Sequence, residues 1–385
     1  MVVGDGRNVQ HHSRLDVIRS QVAAWGCAHR GFLIRGALPI KGTATTAKTT
    51  ACRRAGNQAC LGNVAIAVIR LPQREDAVPI INRRLSAANC ERAQVDLKFL
   101  IAYLDHPQFR GDLAIEFRGP SDLGVYDRGF RLAQIMFCAD GSYRVRTHRR
   151  FIVGTPLQDQ RRFADTGDPD GKYATFSVGA HALHSLLQKS HIVAMRSRIK
   201  EIPHKEEIGV AHFIAADTMA RTDVVVIDRE VGDSDTEHRA ERLDLLALQE
   251  TEPATYRFLA IEVKLGNNAE LDTATQARAH KRSAVEQVRG YAAQIDRCFD
   301  AYADCYRTNI AQKLKLGLLR NGWDGAPTIV PGTQAMLVVA GYSGIAARNL
   351  DVIAREHPDL WVKTFSYGLH SEGGVIAGLR GAPAV

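Results

Sequence analysis

Residues 258–266 read FLAIEVKLG, and this run constrains the fold more than any other in the chain. An apolar lead and the apolar spacer Val263 mark a buried strand, yet it ends in Glu262 and Lys264. Side chains two apart on a strand point to the same face. Both charges therefore project together from one edge of a hydrophobic sheet. Burying them there is costly unless they pair with each other or with a ligand. The run is either an ion pair at a strand end or part of a catalytic site.

The surroundings supply partners. HKEEIGVAHFIAADTMA (204–220) reads as a helix, followed by strands at 222–231, 242–248 and 256–266. TATQ (273–276) has the form of a capping box that opens a long amphipathic helix, with Val285, Val288, Ala292 and Ile295 on one stripe. A strand at 335–343, a helix near 344–356 and a strand at 360–368 complete the order. The second and third strands should pair as a hairpin, which brings Asp244 of RLDLLAL (242–248) beside Glu262. Two carboxylates that close repel, so one must protonate unless a cation sits between them. A hard divalent ion of the Mg²⁺ type answers that need and lowers the pKa of a bound water. Lys264 is then placed to orient the attacking water or to stabilise developing negative charge.

RLDLLAL followed by FLAIEVKLG resembles the core of the PD-(D/E)xK nuclease superfamily, over roughly residues 200–345. The resemblance implies a restriction-endonuclease-like αβββαβ core and metal-dependent hydrolysis of phosphodiester bonds, with DNA as partner and Mg²⁺ or Mn²⁺ as cofactor. It assigns metal binding to Asp244 and Glu262, and catalytic assistance to Lys264. EQVRGY supplies Gln287 and Tyr291, one helical turn apart, where some members carry a QxxxY motif. The acid that the family often has on its first helix falls on Glu206 or Glu207, with Glu207 as the candidate third ligand. Leu243 stands where the family pattern has proline, and the polar link between the first two strands is unusually long. An alternative keeps the fold without the chemistry: a silent module that binds nucleic acid or a protein partner.

Blander readings stand beside these. Glu262 and Lys264 could be only a strand-end pair, Asp244 a solvent-facing acid, and Glu206 and Glu207 a solvated helix face. Asp223 also opens an apolar strand and is a rival ligand. Gln287 and Tyr291 could simply bond each other and pack on the sheet. IEFR (115–118) mimics the ExK spacing but has Arg118 in place of lysine and is set aside as a decoy. The basic cluster RAHKR (278–282) is a helix face that touches phosphates only if it lines the same cleft. No Walker-type loop and no Gly-rich dinucleotide motif is present.

The expected class is α/β, the nuclease-like core over 181–385 being preceded by a small α+β accessory module over 91–180. That module reads as a helix at 91–106 and strands at 112–119, 130–138 and 142–154, and 181–199 reads as a helix that begins the second half. Residues 1–90 lack sustained periodicity and read as an irregular basic extension, either a disordered arm, a targeting extension or an over-extended amino terminus, rather than as a domain. Residues 1–91 hold 13 Lys/Arg against 5 Asp/Glu, which accounts for the whole formal charge of +8. The net charge therefore cannot be credited to the region holding FLAIEVKLG. The seven cysteines form no CxxC pair and read as reduced thiols. No apolar run is long enough to span a bilayer and no secretory signal opens the chain, so the expectation is a cytoplasmic protein without membrane contact. A homodimer is compatible with this reading.

Overall fold

A computed structural model describes residues 81–152, 171–199, 202, 206–219, 221–231, 242–271, 282–341 and 344–365. All of them fall in one compact unit, Ala77–Val385. The described residues form an α/β structure built on two five-stranded sheets. Among the described residues, no helix is long and apolar enough to cross a membrane.

The first sheet is an antiparallel meander of β1 (Leu113–Gly119), β2 (Asp122–Asp127), β3 (Phe130–Phe137), β4 (Tyr143–His148) and β5 (Tyr173–Val178). β4 shows the governing pattern: Tyr143, Val145 and Thr147 are buried, and Arg144, Arg146 and His148 alternate with them. β2 and β3 meet in a two-residue turn with positive φ at both Arg128 (51°) and Gly129 (85°). A Cβ on Gly129 would also lie 2.8 Å from the backbone oxygen of Ile208, so only glycine fits there.

Four helices cover this sheet: α1 (Ala87–Asp96), α2 (Lys98–Tyr103), α3 (Ala180–Leu186) and α4 (Lys189–Ile199). The apolar residues of α3 and α4, Leu183, Leu186, Ile192 and Met195, join the first core. Residues 181–199, which the sequence pattern groups with the second half, thus bury against the first sheet, as two helices rather than one. The predicted helix at 91–106 starts earlier, at Ala87, where Ser86 caps it by accepting from Asn89 N. The predicted strand at 142–154 stops at His148 and turns into a 3₁₀ helix, Arg149–Phe151. Ahead of α1 the chain is already tied in. Leu85 N–H donates to Gln312 Oε1 at 3.0 Å, Gln312 Nε2 donates back to Leu85 O at 2.8 Å, and the Leu85 side chain is buried.

The second sheet begins after helix α5 (Glu206–Thr218), with β6 (Val224–Val231), β7 (Leu243–Glu252) and β8 (Thr255–Leu265) antiparallel to one another. The chain then forms α6 (Ala284–Arg297) and α7 (Phe299–Lys315) before β9 (Thr328–Ala340), α8 (Gly344–Glu356) and β10 (Trp361–Phe365). β9 lies parallel to β8, and β10 parallel to β9, so the sheet is mixed with order β10-β9-β8-β7-β6. Parallel neighbours need crossovers, and the helices α6, α7 and α8 supply them. Val288 and Ile295 of α6 and Tyr306 of α7 bury against Phe258 and Ala260 on one face of β8. Ile214 and Ala215 of α5 bury with Leu259 and Ile261 on the other. Covered on both sides, β8 needs apolar residues at consecutive positions, which is why FLAI runs unbroken. α6 opens on a full capping box, Ser283 with Glu286. The TATQ motif lies outside the described residues.

IEFR fastens the two sheets together. Glu116 and Arg118 of β1 are buried against the second half. Arg118 Nη1 reaches Asp228 Oδ1 at 3.1 Å, and the Tyr306 hydroxyl donates to Asp228 Oδ2 at 2.8 Å. Lys313 Nζ pairs with Glu116 and donates to Ile227 O at 2.6 Å. Removing one partner of such a network strands an uncompensated buried charge. Lys313→Ala is therefore expected to cost about 3–5 kcal/mol in denaturant unfolding, far more than an exposed lysine would.

Candidate active site

The antiparallel register sets the site. Leu245 lies opposite Ile261 and Leu246 opposite Ala260, so the same register carried one step further puts Asp244 opposite Glu262. Opposed residues of an antiparallel pair project to the same face, and Lys264, two further along β8, joins them. This is the face on which Phe258 and Ala260 meet α6 and α7. The polar group thus extends a dry surface. Here the ladder gives way to a side chain: the N–H of Val263 donates to Asp244 Oδ2 at 2.8 Å. The carboxylate of Asp244 is in this way fixed to the residue between Glu262 and Lys264.

Glu262 is 2% exposed and Lys264 7%. Lys264 Nζ lies 2.8 Å from Glu262 Oε1 and 2.7 Å from Glu270 Oε2. Glu262 Oε2 is buried with no hydrogen-bond partner. Burial, reinforced by the negative charge of Asp244, pushes the Glu262 carboxyl up to about 8 against the pull of Lys264. Burial also raises Asp244 to about 6, opposed by the Val263 N–H and by Lys264, with Glu207 adding to the rise. Burial alone would lower Lys264, but Glu262 and Glu270 outweigh it and hold the ammonium above its ordinary range. Two acids that both resist ionisation, one with an orphaned oxygen, thus share this face with the Lys264 ammonium.

The other predicted residues divide. Glu207, in the first turn of α5, accepts from Leu265 N–H at 3.0 Å and from Asn268 Nδ2 at 2.8 Å through the same oxygen. It clasps the end of β8, close enough to raise the Asp244 carboxyl. Glu206 is exposed. Asp223 forms a two-pronged pair with Arg221, at 3.0 Å on each oxygen, and its carbonyl accepts from Glu250 N–H. Glu250 pairs with Tyr256, six positions before Glu262, so Asp223 sits roughly 20 Å along the sheet from the candidate site. Gln287 donates to Glu270 Oε2 at 3.4 Å and to Arg282 O at 2.9 Å. Tyr291 packs half-buried against the core of the second sheet.

Glu270 is absent from the sequence-derived set. It lies in a 3₁₀ turn, Ala269–Leu271, just after β8, and that turn has no hydrophobic period to mark it. The only signal is GNN (266–268), a breaker cluster immediately after the strand. Among the described residues, no group of three or more His, Cys, Asp or Glu side chains is arranged to hold a metal ion. The described cysteines Cys90, Cys138, Cys298 and Cys305 are free thiols. Comparison with family models, with curated proteins and with solved structures gives no match for this chain.

Proposed function

We propose that this chain is a metal-dependent nuclease that hydrolyses phosphodiester bonds in DNA, with the PD-(D/E)xK arrangement of site residues. The observation that carries the reading is the Asp244 carboxylate held by the N–H of Val263, with Glu262 and Lys264 on the same face beside it. The element order α5-β6-β7-β8-α6-α7-β9, with β8 and β9 parallel, supports the reading, with α7 as an added helix before β9.

The residues present fit a divalent cation. Mg²⁺ commonly takes only one or two protein carboxylates and completes its shell with water and substrate phosphate. Asp244 and Glu262 supply such a pair, and the buried, partnerless Oε2 of Glu262 is the group that an ion would satisfy. When bound, the ion polarises a phosphoryl oxygen and acidifies water. Asp244 and Glu262 hold it. Lys264 keeps a fixed positive charge next to them, where negative charge develops on the phosphate. Glu207, through the N–H of Leu265, keeps the end of β8 from fraying.

The test is direct. Circular, linear and single-stranded DNA are incubated with the protein in Mg²⁺, in Mn²⁺ and in EDTA. Cleavage that requires the metal is the expected result. Binding without cleavage in either metal would overturn the enzyme in favour of a silent nucleic-acid-binding module, and neither binding nor cleavage would leave a protein-interaction role.

A further inference from the structure

We propose that Glu270 is a positioning residue that sets where the Lys264 ammonium sits, making the turn after β8 a working part of the site. This inference rests on the nuclease reading above. The turn is a junction for three elements. From β8, Lys264 Nζ meets Glu270 Oε2 at 2.7 Å. From α6, Gln287 Nε2 donates to the same oxygen at 3.4 Å. From α5, Glu207 accepts from Asn268 Nδ2, and Asn268 Oδ1 in turn accepts from Glu270 N–H at 2.9 Å. Gly266 lets the turn form, because a Cβ there would lie 2.5 Å from the carbonyl oxygen of Gly341, beside the end of β9.

Glu262 cannot fix Lys264 alone. It is an acid that would help to hold a cation, and with its charge shared in that way it would hold Lys264 less firmly. Glu270 is then the carboxylate that remains on the ammonium. A lysine side chain carries large rotamer freedom, and an amine held by one partner only is poorly placed. Two anchors, one on β8 and one in the turn after it, pin the Nζ near the face shared with Asp244. Gln287 thereby acquires a role that its sequence motif did not specify: its amide donates to Glu270 and to the Arg282 carbonyl, and so bears on the very oxygen that holds Lys264.

The test compares Glu270→Ala and Glu270→Gln with the unaltered protein by two readouts. The first is the rate at which a water-soluble acetylating ester modifies Lys264, followed by peptide mass spectrometry without added metal or DNA. The second is the split between kcat and KM for DNA cleavage in Mg²⁺. Glu270→Ala is expected to raise Lys264 labelling severalfold and to lower kcat by about 10- to 100-fold with KM unchanged. Glu270→Gln keeps the length and an acceptor oxygen and is expected to recover most of both. Unchanged labelling overturns the proposal, as does a full kcat or a change confined to KM. If the unaltered protein cleaves nothing while labelling rises as expected, the contact stands and the nuclease reading falls. Should Glu270→Ala fail to fold, Gln287→Ala takes its place in the labelling experiment, with a smaller rise expected and no rise counting against the proposal.

Discussion

Lys264→Ala and Asp244→Asn are each expected to lower metal-dependent DNA cleavage by roughly 10²–10³-fold or more at saturating substrate, the range seen when one preorganised charge-stabilising group is removed. The two changes fail for different reasons, which makes the pair informative. Asp244→Asn keeps the shape of the side chain and an oxygen for the Val263 N–H, so the strand end should survive while the charge that holds a cation is lost. Lys264→Ala keeps both acids and removes the fixed positive charge beside them. Asp223→Asn serves as the control, since Asp223 pairs with Arg221 at the far end of the sheet. It should cleave at the normal rate. Equal loss in all three variants would point to damaged folding rather than to a site, and thermal melting of each protein separates those cases.

The second large effect concerns stability. Glu262 has a folded pKa near 8, well above its ordinary 4.5, and Asp244 one near 6 against 3.8. The sign follows from proton binding. A carboxyl whose folded pKa is raised holds its proton more tightly in the native state, so its contribution to stability is complete below the unfolded pKa. That contribution is lost as pH rises through the folded value. In metal-free buffer, these two groups should therefore weaken the fold progressively from about pH 4 to about pH 8. Glu262→Gln removes the larger part of that penalty, and its amide can turn toward Asp244. Without metal it should be more stable than the unaltered protein by roughly 2–4 kcal/mol near pH 8.5, and nearly equal to it at pH 4. Mg²⁺ should raise the melting temperature of the unaltered protein at pH 8, by mass action on the folded state, and leave the Glu262→Gln variant where it is. A variant more stable without metal but inactive would mark Glu262 as a group kept for function at a cost to the fold. Parallel pH profiles for the two proteins would rule this out.

The candidate site was legible in part. Asp244, Glu262 and Lys264 could be grouped from the sequence because strands have a period of two and a short polar link predicts a hairpin. Register is then the only unknown, and the structure supplies one that faces all three the same way. Glu207 was named as a candidate third ligand, whereas its contacts to the Leu265 backbone and to Asn268 leave no spacing signature. In the first sheet β1, β3 and β4 were read from the sequence, and β2 and β5 were missed. The interrupted stretch around β2, with Gly124 in its middle, and the isolated β5 offered no clean alternation. The long helix α7 also went unread; its buried face is partly polar, with Asn309 and Lys313 among the buried residues, so its hydrophobic stripe is broken.

By itself, the sequence determined the class of the second half, the strand that ends in Glu262 and Lys264, and the acid that answers them. These are local matters: period, turn chemistry and the cost of burying charge are set within about twenty residues. Only the tertiary structure decided that residues 181–199 pack on the first sheet, that IEFR belongs to a buried ionic junction, and that Glu270 and Gln287 converge on Lys264. Those contacts join elements whose separation along the chain carries no periodic trace. Asp228 and Glu116 meet their partners because two sheets pack together, and no spacing rule within either strand records it.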